Sequence, residues 1–315
     1  MPEPRPFRFG VLTGGAPSRA EWVGQARRAE ELGYSTLLLS DHVGTALAPI
    51  AALATAAAAT TTLRIGSQVF GNDFRHPVLL AKEAATLDLL SEGRLELGLG
   101  TGYSKADYDQ TGIPLEPPGV RVSRFAEAVR IIKGAQSEEP FSFSGTYYTV
   151  RDLALRPKPA QRPHPPIVIG GAGRRILSLA AREADIVSIN VRTTAEGQFD
   201  QTSFSPEAVA QAVEWVRRAA GARFGDRELS VLVPFVQVTN GGRRHAAEQL
   251  LQRRRLVGQM TADQLLETPK TLLGSVDDIC EALTAHRQRL GLSYPVIFAQ
   301  HMEAFAPVVA RLAGR

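Results

Sequence analysis

The sequence predicts an α/β protein built as a (β/α)8 TIM barrel, and three observations carry the prediction. About eight short apolar segments of strand character each give way to a segment of helical period, the order that a parallel sheet with helical crossovers requires. The stretch from Asn72 to Tyr103, NDFRHPVLLAKEAATLDLLSEGRLELGLGTGY, joins a helix to a strand that finishes in a glycine turn. The phosphate fingerprint of an open doubly wound sheet is missing: Gly98-x-Gly100-x-x is completed by Tyr103 and follows a helix instead of beginning the chain.

The first strand runs from Phe7 to Leu12 and leads to a helix from Ser18 to Leu32; the second, Ser35 to Leu39, leads to a helix from about Pro49 to Ala59. After the third strand, Leu63 to Val69, comes a helix over 77–90 in which Pro77 takes a first-turn position that tolerates a missing N–H. Val78, Leu79, Ala81, Ala84, Ala85, Leu87, Leu89 and Leu90 give that helix a broad apolar stripe. In the fourth strand, 95–99, three leucines alternate with residues that include glycine, which suits a short strand in a crowded place. A helix over 121–135 follows, then FSFSGTYYTV, whose alternation and central Ser-Gly predict a hairpin inserted between barrel elements. Beyond the proline-rich RPKPAQRPHPP lie the fifth strand (Ile167 to Ile169), a helix (Arg174 to Arg182), the sixth strand (Asp185 to Ile189) and a helix (Pro206 to Ala219). The seventh strand, Leu229 to Val238, precedes helices near 243–257, 261–266 and 277–289, and the eighth, 294–298, precedes a last helix over 303–312. The chain, 1–315, reads as one barrel domain with insertions after the fourth and sixth strands.

Composition narrows the function. With 44% hydrophobic and 22% charged residues, the 315-residue chain is an ordinary globular sequence with a large core. Thirty-six Lys and Arg against 32 Asp and Glu leave +4, too mild an excess for a nucleic-acid partner. Arg243-Arg244 and Arg253-Arg254-Arg255 fall in a helical pattern and read as a solvated face, or as a seat for an anionic ligand tail. The single cysteine, Cys280, excludes an internal disulfide framework and reads as core filler in a reducing cytoplasm. MPEPRPFRFG has no signal-peptide core, and the nearly apolar stretch from Ala46 to Ala59 is too short to span a bilayer, so a cytoplasmic protein without a membrane partner is expected. No HExxH or CxxC spacing occurs among six histidines and one cysteine, so no metal is expected, and the Gly-x-Ser-x-Gly nucleophile elbow is absent.

In a barrel of this kind the chemistry sits on loops after the strands' C-terminal ends. Asp41 and His42 follow the second strand, where a carboxylate beside an imidazole can hold a tautomer or accept a ligand proton; equally, Asp41 can cap a helix and His42 can sit on a surface loop. The third strand runs into Gly66, Ser67 and Gly71, which allow a backbone bulge to press on a flat ring, or simply a tight turn, and Gln68 and Val69 stand at its C-terminal end. Asn72, Asp73, Phe74, Arg75 and His76 form a polar-aromatic set before a helix, some of which can cap it. Thr101 to Tyr108, with Gly102 and Tyr103 among them, follow the fourth strand, and Asn190 and Arg192 the sixth. Gly170, Gly171, Ala172 and Gly173, between a buried strand and a helix start, make an anion cradle in which Arg174 or Arg175 could add charge; the same glycines also serve tight strand-to-helix packing. The loops 104–120 and 190–205, the latter with Phe199 and Phe204, are placed on the substrate side and suggest a partly apolar organic substrate.

Taken together, ARRAEELGYSTLLLSDH (26–42), the 72–103 stretch, PPIVIGGAG (165–173) and AREADIVSIN (181–190) resemble the bacterial-luciferase-like superfamily, and within it the coenzyme F420-dependent oxidoreductases. The resemblance covers nearly the whole chain and implies a barrel that binds F420, or FMN, at its C-terminal mouth. It implies that Asp41 and His42 lie near the deazaflavin ring and active centre and that Gln68-Val69 is a non-prolyl cis peptide behind the ring. It further implies that Thr101 and Gly102 line the ring or linker and that Gly170 to Gly173 bind phosphate. The implied reaction is hydride transfer between the deazaflavin C5 and a small substrate, with His42, Tyr103 or Tyr108 handling the proton and Phe74, Tyr108, Asn190 and Arg192 facing the substrate. Two alternatives remain open: an FMN-dependent monooxygenase served by a separate reductase, and a non-catalytic flavin-binding relative. Because dimerisation through barrel helices is common in the family, the resemblance also implies a homodimer.

Overall fold

The computed structural model describes residues 5–45, 47–194, 200–253 and 260–315. The chain opens with β1 (Gly10–Thr13), α1 (Arg19–Glu31), β2 (Thr36–Leu39), α2 (Pro49–Ala59), β3 (Arg64–Ser67), β4 (Phe70–Gly71), α3 (Pro77–Leu90) and β5 (Leu95–Gly100). Its middle comprises α4 (Lys105–Thr111), α5 (Pro118–Gln136), β6 (Phe141–Ser144), β7 (Thr149–Leu153), β8 (Ile167–Gly171), α6 (Arg174–Glu183), β9 (Ile186–Ile189) and α7 (Pro206–Ala220). It ends with β10 (Glu228–Val233), β11 (Phe235–Val238), α8 (Arg243–Arg253), α9 (Ala262–Glu267), β12 (Thr271–Gly274), α10 (Val276–Leu290), β13 (Leu292–Phe298) and α11 (Met302–Leu312). Local chemistry starts many of these helices. Proline stands at the first turn of α2, α3, α5 and α7, and Ser18, Ser104, Thr261 and Ser275 accept backbone N–H groups at the starts of α1, α4, α9 and α10.

Eight parallel strands close into a barrel in the order β1, β2, β3, β5, β8, β9, β10, β13 and back to β1. β3 pairs with β5 only at Ile65–Leu95 and Gly66–Glu96; the chain then leaves the sheet and returns as β4, where Phe70 meets Leu99 and Gly71 meets Gly100. Leu12, Leu38, Val168, Ile186, Tyr294 and Val296 fill the barrel, and the main core lies between the strands and the surrounding helices.

Several expectations are corrected. The first strand begins at Gly10; Phe7 only bridges Ala313 near the other end of the chain. The expected seventh strand divides at Pro234, which has no N–H to give a ladder: β10 stays in the barrel and β11 pairs with the unexpected β12. A third insertion therefore follows the seventh barrel strand, and helix α4, also unexpected, belongs to the insertion after the fourth. The insertions after the sixth and seventh barrel strands share a small core that includes Val191, Phe204, Ala247, Leu265 and Leu273. Buried Lys270 ties them to the barrel by donating to the Ile189 carbonyl, and desolvation lowers its ammonium to about 7. On α3 the apolar stripe is wider than the barrel covers, leaving Leu79, Leu89 and Leu90 exposed. Arg254, Arg255 and Phe199 lie outside the described residues.

Charges plug the N-terminal end of the barrel. The Glu96 carboxylate, 1% exposed, accepts from Arg8, from Arg64 Nε at 2.9 Å and from the Tyr294 hydroxyl at 3.1 Å, while Arg8 grips Glu228 through two bonds of 2.7 Å. The Arg8 guanidinium also lies 3.6 Å from the Tyr294 ring centre. Burial on its own would raise the Glu96 carboxyl, but the Arg8 and Arg64 charges outweigh it and hold the group below its ordinary 4.5. A carboxyl lowered on folding stabilises the fold fully above that ordinary value, and its contribution fades as pH falls below it. Glu96→Gln, which keeps the shape and removes the charge, should therefore lower the unfolding free energy by roughly 3 kcal/mol at pH 7. In urea denaturation the gap between the two proteins should narrow at pH 4; an equally stable variant at pH 7 would refute this account.

Candidate active site

The wall of the site is made where β3 leaves the barrel. The Gln68–Val69 peptide is cis, and the Ser67 carbonyl points at Gly98 so closely that a Cβ there would lie 1.7 Å from the oxygen. A Cβ on Gly100 would come within 2.4 Å of Val69 Cγ2, and one on Gly170 within 2.6 Å of Asn190 Nδ2. These glycines give the bulge its space, and Val69 faces the cavity as a result. Gln68 reaches across the mouth, its amide donating to Ser188 Oγ at 2.8 Å and Asn190 Oδ1 at 3.2 Å.

The two carboxylates near the second strand's exit have different partners. Asp41 does not cap α2, whose first turn follows Ala48; it forms a two-point ion pair with Arg75 and accepts the Gly71 N–H at 2.9 Å, fastening the loop after β2 to the far end of the bulge. His42 is held instead by Asp107, on α4: Nδ1 lies 2.7 Å from Asp107 Oδ2, and Asp107 Oδ1 also accepts the Val43 N–H at 3.1 Å. With Asp107 accepting from Nδ1, the neutral ring presents Nε2 as an acceptor, and the Tyr103 hydroxyl stands 3.2 Å from it. Desolvation, and then the Asp107 carboxylate, keep the Tyr103 phenol above its ordinary value, so it remains protonated at neutral pH.

The anion cradle stands across the cavity. Gly173 caps α6 without a side-chain hydrogen bond, and a Cβ on it would touch nothing within 4 Å. Arg175 reaches from this turn to the Gly119 carbonyl at 3.0 Å and Ser123 Oγ at 2.8 Å, packing α6 against the start of α5. Arg121, also on α5 and 8% exposed, donates to the carbonyls of Glu116 and Gly102 and lines the cavity beside them.

Together these elements enclose a cavity of about 450 Å³. Of the residues expected at the site, Asp41, His42, Gln68, Val69, Phe74, Thr101, Gly102, Tyr103, Gly170, Gly171, Ala172, Asn190 and Arg192 line it. Three stand apart. Tyr108 is buried behind the wall, its hydroxyl donating to Asp73 Oδ2 at 2.8 Å and its ring against Phe74; Asn72 is buried beside Tyr148; Gly173 sits one step outside, at the helix cap. Arg121, Leu232 and Phe298 line the cavity without having been expected there, and Asp107, within the expected stretch 101–108, lines it as the partner of His42. Asp107 had a readable signal in Ser104-x-x-Asp107, a capped helix start that places the carboxylate on the first turn. His76, in the polar-aromatic set, caps α3. Among the described residues no group of His, Cys, Asp and Glu could hold a metal ion, and no helix is long and apolar enough to cross a membrane.

A parallel eight-stranded barrel with a glycine-walled cavity at its C-terminal mouth is the architecture of an α/β-barrel enzyme. The chain belongs to the luciferase-like monooxygenase family, whose family model matches residues 6–289. It is similar to an FMNH(2)-dependent dimethylsulfone monooxygenase of Pseudomonas putida, 35% identical over 128 residues, which are 41% of this chain and 35% of that one. It is equally similar to an F420-dependent glucose-6-phosphate dehydrogenase of Microbacterium testaceum, 35% identical over 167 residues, 50% of this chain and 48% of that one. The matched stretches thus span half or less of these two relatives' lengths. Among solved structures, the coenzyme F420 dependent tetrahydromethanopterin reductase from Methanopyrus kandleri shares the fold, with a TM-score of 0.77, 17% identity and coverage of 98% of this chain and 99% of that one.

The two closest approaches in the wall should respond differently to an added methyl group. Gly98→Ala meets backbone and should lower stability by about 1–3 kcal/mol, whereas Gly100→Ala meets the end of Val69 and should cost less. Thermal unfolding of the two variants decides the point, and equal melting temperatures would contradict the geometry.

Proposed function

We propose that this protein is an F420-dependent oxidoreductase that moves a hydride between C5 of the deazaflavin and a carbon of a small organic substrate. The observation that carries the reading is the Asp107–His42–Tyr103 chain opening into a cavity that has a flat wall at Val69 and an uncapped helix start at Gly173. The residues present fit such a cofactor: the bulge would back its ring, Thr101 and Gly102 would flank it, and the Gly170 to Gly173 turn would take its phosphate. When bound, F420 supplies a two-electron hydride carrier that reacts poorly with oxygen.

The side chains supply the proton chemistry. In the oxidising direction His42 Nε2 takes the hydroxyl proton of the substrate, and Asp107 stabilises the charged ring that results. In the reducing direction the same ring returns the proton. Tyr103, kept protonated, donates a hydrogen bond to Nε2 or to the substrate oxygen, and Gln68, Ser188 and Asn190 hold the opposite wall in place. Asp41 acts through Arg75 and Gly71, positioning the bulge.

A second reading, an FMN-dependent monooxygenase using oxygen and a separate reductase, is favoured by the equal identity to the FMNH(2)-dependent relative. It would use the same wall and anion cradle. Titrating the protein separately with F420 and FMN, followed by fluorescence quenching, separates the two. F420 should bind at least about tenfold tighter, a difference of 1.4 kcal/mol; tighter FMN binding would overturn the proposal in favour of the monooxygenase. With F420 bound, His42→Ala should lower kcat by about 10²–10⁴ while leaving F420 affinity within a few-fold, as expected for loss of a proton-transfer group. Unchanged turnover would remove His42 from that role.

A further inference from the structure

We infer that the substrate is an uncharged alcohol or carbonyl compound bearing an alkyl or aryl arm, and that this arm leaves the cavity across an apolar rim formed by Val43, Leu47 and Tyr103. The inference rests on the cavity being the active site proposed above and extends it to the substrate's class.

Charge is the first argument. Along the cavity Asp41 is ion-paired with Arg75 and Arg192 with Asp200 at 3.4 Å, while Asp107 is hydrogen-bonded to His42 and Arg121 to the carbonyls of Glu116 and Gly102. Among the described residues, the exits of β1, β2, β10 and β13 offer Leu12, Thr13, Gly14, Ser40, Leu232 and Phe298 beside Asp41 and His42, a surface without lysine or arginine. A phosphate or carboxylate placed there would lose its hydration without gaining a counter-ion.

Size is the second. A space of about 450 Å³ that must take a tricyclic ring leaves room for the reacting end of a substrate and little else, so a longer substrate has to continue outside.

The rim is the third. Seven large apolar side chains stand exposed among the described residues; three lie on α3, and the other four, Val43, Leu47, Tyr103 and Leu115, lie on the β2–α2 and β5–α5 connections at the cavity's end of the barrel. Val43 is 51% exposed and Tyr103 45%; Tyr103 lines the cavity, and Val43 follows His42, which lines it too, so both stand beside the site. The β2–α2 connection is anchored: the Val43 N–H donates to Asp107 on α4, the Leu47 N–H donates to the Gly14 carbonyl at 2.9 Å, and the Leu47 side chain lies over Gly15. Fixed apolar groups beside a reaction site recognise an apolar ligand at low entropic cost.

The test uses the protein loaded with whichever of F420 and FMN binds it, so that the cofactor titration judges the proposed function separately. Calorimetry on the loaded protein then measures the affinity of methyl ketones of increasing chain length and of the same ketones ending in a carboxylate. Affinity should rise about twofold to fourfold per methylene once the chain is long enough to reach the rim, and the carboxylate-terminated series should bind at least about tenfold more weakly. The double variant Val43→Ser, Leu47→Ser should flatten the chain-length dependence while cofactor affinity and the binding of acetone stay as they were. Absence of a chain-length dependence in the unaltered protein, an undiminished dependence in the variant, or preference for the carboxylates would each overturn the inference.

Discussion

The contact on which the mouth of this barrel depends is the Ser67 carbonyl pressed into the space that Gly98 leaves by having no side chain. Because β5 yields at that point, β3 can break its pairing after two residues, bulge outward through Gln68 and Val69, and rejoin β5 as β4. Everything around the cavity is then referenced to the bulge. Val69 lies in the gaps at Gly100 and Gly170, Gln68 ties it to β9 through Ser188, and Asp41 holds its far end by the Gly71 N–H. A displacement of this segment would move groups from five barrel strands together, which is how a packed interior transmits strain.

The two ends of the barrel divide the work between stability and chemistry. At the N-terminal end, Glu96 is buried with two arginines and a tyrosine hydroxyl, an arrangement whose value lies in leaving no charge unpaired. At the C-terminal end the carboxylates are also paired, one with a guanidinium and the other with an imidazole. Asp41 faces a guanidinium that stays charged at any working pH, so it can only position. Asp107 faces an imidazole, so the same residue type belongs to the pair to which the proposed function gives the proton transfer. The partner, more than the carboxylate itself, decides the role.

Lys270 shows the cost of attaching large insertions to such a barrel. Its ammonium is buried against the Ile189 carbonyl, at the exit of the strand that carries Asn190, and desolvation lowers it to about 7. The adjoining small core, shared by two insertions, offsets that cost by burying apolar side chains of both.

Much of the fold was legible because its signals are local. Proline at a first turn and the apolar period placed α2 and α3 at the residues observed, and the alternation of strand and helix led to the closed barrel. Pro234 marks the division of the expected seventh strand, but the apolar residues on both sides continue one strand pattern across it. The types of group at the site, and the strand exits that bear them, could also be read along the chain. Their pairing could not. Arg75 meets Asp41 across 34 residues, Asp107 meets His42 across 65 and Ser188 meets Gln68 across 120. Side chains so far apart in sequence become neighbours only when the barrel closes, so residue identity and local period determined the elements, whereas tertiary closure decided which carboxylate fixes a loop and which one holds the histidine.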